Sequence, residues 1–118
     1  MSSSIIHDYS DGCCYLCKLL NGDYSAKNNL EEHHIFGGPN RKHSEHFGLK
    51  VKLCIYHHRI GAHAVHDMGA DEMELLHQIG QMGFERRYSH EDFVRMFGKN
   101  YLSSDQIERM EKIRNEQS

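Results

Sequence analysis

The stretch from His33 to His66, HHIFGGPNRKHSEHFGLKVKLCIYHHRIGAHAVH, constrains the fold of this chain more than any other feature. It holds eight of the eleven histidines (His33, His34, His43, His46, His57, His58, His63 and His66) together with Cys54. Imidazole and thiolate at short spacings are the donors that divalent transition metals select. A second pair of thiols, Cys14 and Cys17, stands upstream. Written together, Cys14, Cys17, Cys54 and His57 form C-x2-C, a gap of thirty-six residues, then C-x2-H. Two knuckles of that spacing close one tetrahedral structural zinc site. Cys13 is left spare, because it would need a three-residue spacer to replace Cys14.

A metal staple suits a chain of this size and composition. At 118 residues, 38% of them hydrophobic, there is material for a single domain with one modest core. No apolar run approaches the length of a membrane helix, which excludes a membrane-spanning protein of that kind. The N-terminus carries no visible secretory signal, so a cytoplasmic location is expected, where cysteines serve as ligands rather than disulfides. The net charge is −3, but it is unevenly spread: −3 over residues 1–32, +4 over 33–66 and −4 over 67–118. The positive charge therefore lies in the histidine-rich segment, where Arg41, Lys42, Lys50, Lys52 and Arg59 are candidates to contact nucleic-acid phosphates.

Along the chain, residues 1–12 read as a flexible lead-in, 13–68 as the knuckles and core, and 69–118 as a helical C-terminal part. Residues 30–36 read as a short strand stopped by Gly37-Gly38-Pro39-Asn40. Residues 40–48 read as a polar loop, with His43 and His46 as loop residues or phosphate contacts rather than ligands. The alternation Leu49-Lys50-Val51-Lys52-Leu53 predicts a half-buried strand with both lysines exposed. Helices are expected over 71–87, weakened by Gly80 and Gly83, over 92–97 behind a Ser89 cap, and after a second cap at Ser103. His77 and His90 fall on those helices as surface residues.

The residues Glu32-His33-His34-Ile35, Gly37-Gly38 and Leu53-Cys54-Ile55-Tyr56-His57-His58 resemble the HNH, or ββα-metal (His-Me finger), nuclease superfamily. They are most similar to small phage or prophage proteins of the recombination-enhancement RecA-dependent nuclease group. The resemblance spans residues 14 to about 66. It implies a zinc-stapled α+β core with additional C-terminal helices, and the activity of a metal-dependent endonuclease that hydrolyses DNA phosphodiester bonds. In that pattern His33 is a ligand of a catalytic divalent ion (Mg2+, Mn2+ or Zn2+), His34 is the general base, and His58 is a second ligand. The third ligand is His66, with His63 the competitor. The rest of the pattern implies DNA as partner and a recombinase or other phage DNA-processing protein as a further one. Two positions depart from it. A histidine, His57, stands where the second knuckle usually has its final cysteine, so the pattern allows His57 and His58 to exchange roles. The family's asparagine is absent near Leu49; Asn40 is the candidate for positioning the intervening loop. A zinc-stabilised module that binds nucleic acid without cutting it is the alternative.

Overall fold

A computed structural model describes residues 3–117. It is a small α+β domain: a two-stranded antiparallel sheet with helices packed around it. Strand β1 (Glu31–His34) pairs with β2 (Lys50–Leu53) in the register Glu31–Leu53, Glu32–Lys52, His33–Val51 and His34–Lys50. Val51 and Leu53 are fully buried, as is Leu49 just before the strand. The alternation visible in the sequence thus fixes the inner face, and His33 lies on it opposite Val51.

Helix α1 (Tyr15–Asn21) starts at Cys14, whose sulfur accepts the Cys17 amide, and ends in a left-handed Gly22. Residues 41–47 form helix α2 (Arg41–Phe47), not the loop expected for this stretch. Its seven residues are too few for apolar periodicity to show. What holds it is tertiary: Ser44 Oγ donates to the Phe36 carbonyl at 2.8 Å and accepts the Phe36 amide at 2.9 Å. Its end, Gly48, has φ 71°, and a Cβ there would stand 2.3 Å from the Ser3 carbonyl oxygen. Only glycine combines that backbone with that close approach. His43 and His46 are therefore helix residues.

That contact belongs to a second correction. The described part of residues 1–12 is not a loose lead-in but a strap along the outer edge of β2. Ile5 N donates to Gly48 O at 2.9 Å, Ser4 Oγ to Lys50 O at 2.5 Å, and Lys52 N to His7 Nδ1 at 3.1 Å. An edge strand that would otherwise expose unpaired amides and carbonyls is closed in this way. Met1 and Ser2 lie outside the described residues. Lys50 is consequently buried, at 2% exposure, rather than displayed. Its Nζ lies 2.9 Å from Glu45 and 3.5 Å from Glu32.

Short helix α3 (Ile55–His58) follows β2 directly. Helix α4 (Ala70–Glu85) is the long C-terminal element, with Leu76, Gly80 and Phe84 buried. Its glycines are there for close packing: a Cβ on Gly80 would meet Ile35 and Phe36 at 2.9 Å, and one on Gly83 would meet the tip of Ile6 at 2.5 Å. Helix α5 (His90–Phe97) is capped by Ser89, and α6 (Ser104–Glu116) by a reciprocal Ser103–Gln106 box. Phe84, Phe93, Phe97 and Phe36 pack as one aromatic cluster. His77 joins it, stacked 5.2 Å from the Phe36 ring, and is half-buried rather than a surface residue. His90 is likewise engaged, donating from Nδ1 to the buried Glu85 carboxylate at 2.8 Å. No helix among the described residues is long and apolar enough to cross a membrane.

Candidate metal centres

The first centre gathers the two knuckles. Cys14 caps α1 and Cys17 lies one turn inside it. Cys54 precedes α3, and His57 sits one turn further. His57 Nδ1 is 3.5 Å from Cys14 Sγ, 3.4 Å from Cys17 Sγ and 3.5 Å from Cys54 Sγ. Cys17 and Cys54 sulfurs are 3.8 Å apart. A tetrahedral zinc with Zn–S of about 2.3 Å and Zn–N of about 2.0–2.1 Å places its donors roughly 3.8 Å apart for S–S and 3.5–3.6 Å for S–N. The four side chains are thus spaced as the edges of a zinc tetrahedron, and this cluster can hold a structural zinc.

Burial points the same way. Cys14 and Cys17 are buried. Without a cation, desolvation and the neighbouring thiols push the Cys17 thiol well up, so the thiolate set makes sense only around positive charge. Cys13 faces elsewhere, its Sγ donating to Tyr24 O at 3.1 Å and Asp11 O at 3.3 Å.

The second centre is three histidines from three segments. β1 delivers His33 to the inner face and α3 delivers His58. The following turn delivers His66 because its backbone pairs back on α3: Val65 N donates to His57 O at 2.9 Å and His66 N to His58 O at 3.0 Å. Ring centroids are 5.3 Å apart for His33–His58, 4.9 Å for His33–His66 and 4.8 Å for His58–His66. One nitrogen from each lies within 4.8 Å of the others. His33 Nε2 is buried and has no hydrogen-bond partner among the described residues. Burial first, then the neighbouring His66 and His58, hold His33 down to about 3 from its ordinary 6.5. It is a neutral imidazole with a buried, unused polar atom, in a residue whose ring packs on those of His58 and His66, which fits a metal ligand.

His58 is oriented from outside the trio. Its Nδ1 donates to Glu31 Oε1 at 2.9 Å, and Glu31 is held in turn by Arg59 Nε at 2.9 Å and Nη2 at 2.8 Å. A carboxylate on the far nitrogen fixes the tautomer and leaves Nε2 as the ligating atom. His66 is exposed, so the trio is open on one side. His63 is not part of it: its side chain is 70% exposed and donates to Glu72 at 2.8 Å. His57 and His58, adjacent in sequence, serve different clusters.

His34 leaves β1 on the opposite side from His33. Its Nε2 donates to Glu45 Oε1 at 2.9 Å, in an open hollow shared with Glu32, Gly38, Arg41 and Lys42. Arg41 and Lys42 are exposed on α2. Of the other basic residues, Lys50 is locked in its buried ion pairs, Arg59 is paired with Glu31, and Lys52 lies 5.3 Å over the Tyr9 ring. Asn40 Nδ2 donates to Phe97 O at 3.0 Å, tying the start of α2 to the end of α5.

The residues that sequence reasoning missed are Glu31 and Glu45. Strand alternation places Glu31 on the face of His33, two residues away, and that signal was available. Comparison of the chain with protein-family models, with curated proteins and with solved structures finds no match in any of the three.

Proposed function

We propose that this protein is a metal-dependent endonuclease that hydrolyses DNA phosphodiester bonds with a ββα-metal type of site. The observation that carries the reading is the trio of His33, His58 and His66, open on one side, together with the buried Nε2 of His33 that has no partner among the described residues. Closed four-donor sites are structural, whereas three protein donors with an open position are the pattern of catalytic ions. The cysteine–histidine cluster and the histidine trio divide along that line, while Glu32, His34 and Glu45 form a third group of donors among the described residues. A bound divalent ion would supply positive charge to the nonbridging and leaving oxygens of the phosphodiester.

The protein's own groups do the rest. His34 accepts the proton of the attacking water at the ring nitrogen not used on Glu45. Glu45 orients the imidazole and stabilises it once protonated. β1 carries both groups on opposite faces, His33 with the trio and His34 with Glu45, so this role of His34 requires a substrate that reaches both faces. Exposed Arg41 and Lys42 contact backbone phosphates without reading sequence. Asn40 keeps α2, and with it Glu45 and Arg41, in register with α5. A phage or prophage role in recombination belongs to the same proposal.

One observation favours a second reading. His34 faces away from the trio, as it would in a zinc-stabilised nucleic-acid-binding module that does not cut. Nicking of supercoiled plasmid separates the two. The nuclease reading expects nicking that a chelator of the second ion abolishes. It also expects His34→Ala to retain DNA affinity and zinc while slowing cleavage by about 10² to 10⁴-fold. Binding without nicking would establish the second reading instead.

A further inference from the structure

We propose that the hollow between residues 27–31 and α3 binds an unpaired nucleobase, making single-stranded or locally unpaired DNA the preferred substrate of the adjacent trio. The substrate assignment rests on the nuclease reading; the binding site does not. The hollow has a volume of about 500 Å³, within the range of small-ligand sites. Tyr56 lines it from α3 and is 71% exposed. Asn28 and Asn29 line it from the chain entering β1, and Asn29 holds a left-handed backbone at φ 60°. Among the described residues, no side-chain hydrogen bond or ring contact engages Tyr56, Asn28 or Asn29. Three donors of the first centre, Cys17, Cys54 and His57, also line the hollow; beside them it offers an unused aromatic face and two unused amides.

A nucleobase is the ligand that answers such a set. It has a π-face for a phenol ring and an edge of alternating donors and acceptors for carboxamides, each of which offers both. Arg59 also lines the hollow. Its Nε and Nη2 are held by Glu31, which leaves Nη1 of a side chain 54% exposed for the flanking phosphate. A base stacked and paired in a duplex has both its faces and its edge occupied, so only an unpaired or flipped base can enter. Glu31 joins this hollow to the trio. It lines the hollow, and its Oε1 is the atom that holds His58. A nucleotide seated against Tyr56 would therefore lie over the donors of the first centre and reach the second through Glu31, the partner of His58.

The test uses the full chain with zinc bound and reads binding without turnover. Fluorescence anisotropy compares a labelled single strand of about 12 nucleotides, near the span of single-strand sites, with the same sequence as a duplex. Tyr56→Ala should weaken single-strand binding by about tenfold or more, the size of one lost base stack, and leave duplex affinity and metal content unchanged. Tyr56→Phe should bind like the wild type, and Asn29→Ala should weaken the single strand alone. Equal losses on both DNA forms, or no loss in Tyr56→Ala, would overturn the pocket. If the pocket result holds but the wild type never nicks plasmid, the nuclease reading fails and the base-binding site stands. If the wild type nicks and Tyr56→Ala binds normally, the pocket alone fails.

Discussion

Replacing Glu31 by glutamine should weaken the second metal centre and leave the first intact. Glu31 Oε1 accepts from both His58 Nδ1 and Arg59 Nε at 2.9 Å, while Oε2 accepts from Arg59 Nη2 at 2.8 Å. The His58 and Arg59 contacts hold its carboxyl below the usual range, so the group is the charged acceptor. A glutamine of the same shape cannot satisfy all three donors. With its oxygen toward His58, the new NH2 faces Arg59 Nη2, donor against donor. Flipped, the NH2 faces His58 Nδ1 and opposes the tautomer that leaves Nε2 free. Loss of such an outer partner costs about 10- to 100-fold in metal affinity. The assay is a titration of Co2+ or Mn2+ into protein already carrying zinc, for wild type, Glu31→Gln and Arg59→Ala. The expected order is wild type tightest, Arg59→Ala slightly weaker, and Glu31→Gln weaker by one to two orders of magnitude, all with unchanged zinc. Equal affinity in Glu31→Gln would refute the positioning role. Loss of the zinc as well would show that Glu31 acts on the fold as a whole.

Further expectations concern stability. Cys54→Ser should lose its zinc and its thermal stability together, by about 5 kcal/mol or more, because metal-binding free energy is folding free energy in such sites; melting with metal analysis checks it. Gly80→Ala should cost about 1 kcal/mol in urea unfolding, since a clash against buried Ile35 and Phe36 worth about 1–3 kcal/mol outweighs about 1 kcal/mol of helix propensity. Gly83→Ala should cost less, because it meets only the flexible tip of half-buried Ile6. With the second ion stripped, His33 makes stability pH-dependent: between its ordinary value of about 6.5 and its folded value of about 3, the unfolded chain holds a proton that the folded chain does not. Stability should therefore fall as pH drops below about 6.5, more in the wild type than in His33→Gln, and show no such term above it.

Much of this architecture is legible in the chain because the informative patterns are local. The Leu49–Leu53 alternation gives β2, the capping residues Ser89 and Ser103 give the starts of α5 and α6, and knuckle spacing gives the four-donor cluster. What was not legible depends on contacts between distant segments. Helix α2 has no apolar stripe and is held by Ser44 on Phe36. Lys50 reads as an exposed strand residue until residues 4–7 close the edge beside it and Glu45 arrives from α2. Spacing cannot choose between His63 and His66; the backbone pairing of residues 65–66 onto His57 and His58 does, by setting His66 against the trio. Glu45 is invisible for the same reason, because it reaches His34 and Lys50 from another element; Glu31 shares the face of His33 by strand alternation, but its contact with His58 has no sequence signature.

The most direct measurement is an anomalous-scattering map of crystals grown with zinc and a second divalent ion. Two separate peaks per chain are expected, one among Cys14, Cys17, Cys54 and His57 and the other among His33, His58 and His66. A single peak at the cysteine site, or a second one among Glu32, His34 and Glu45, would contradict this expectation.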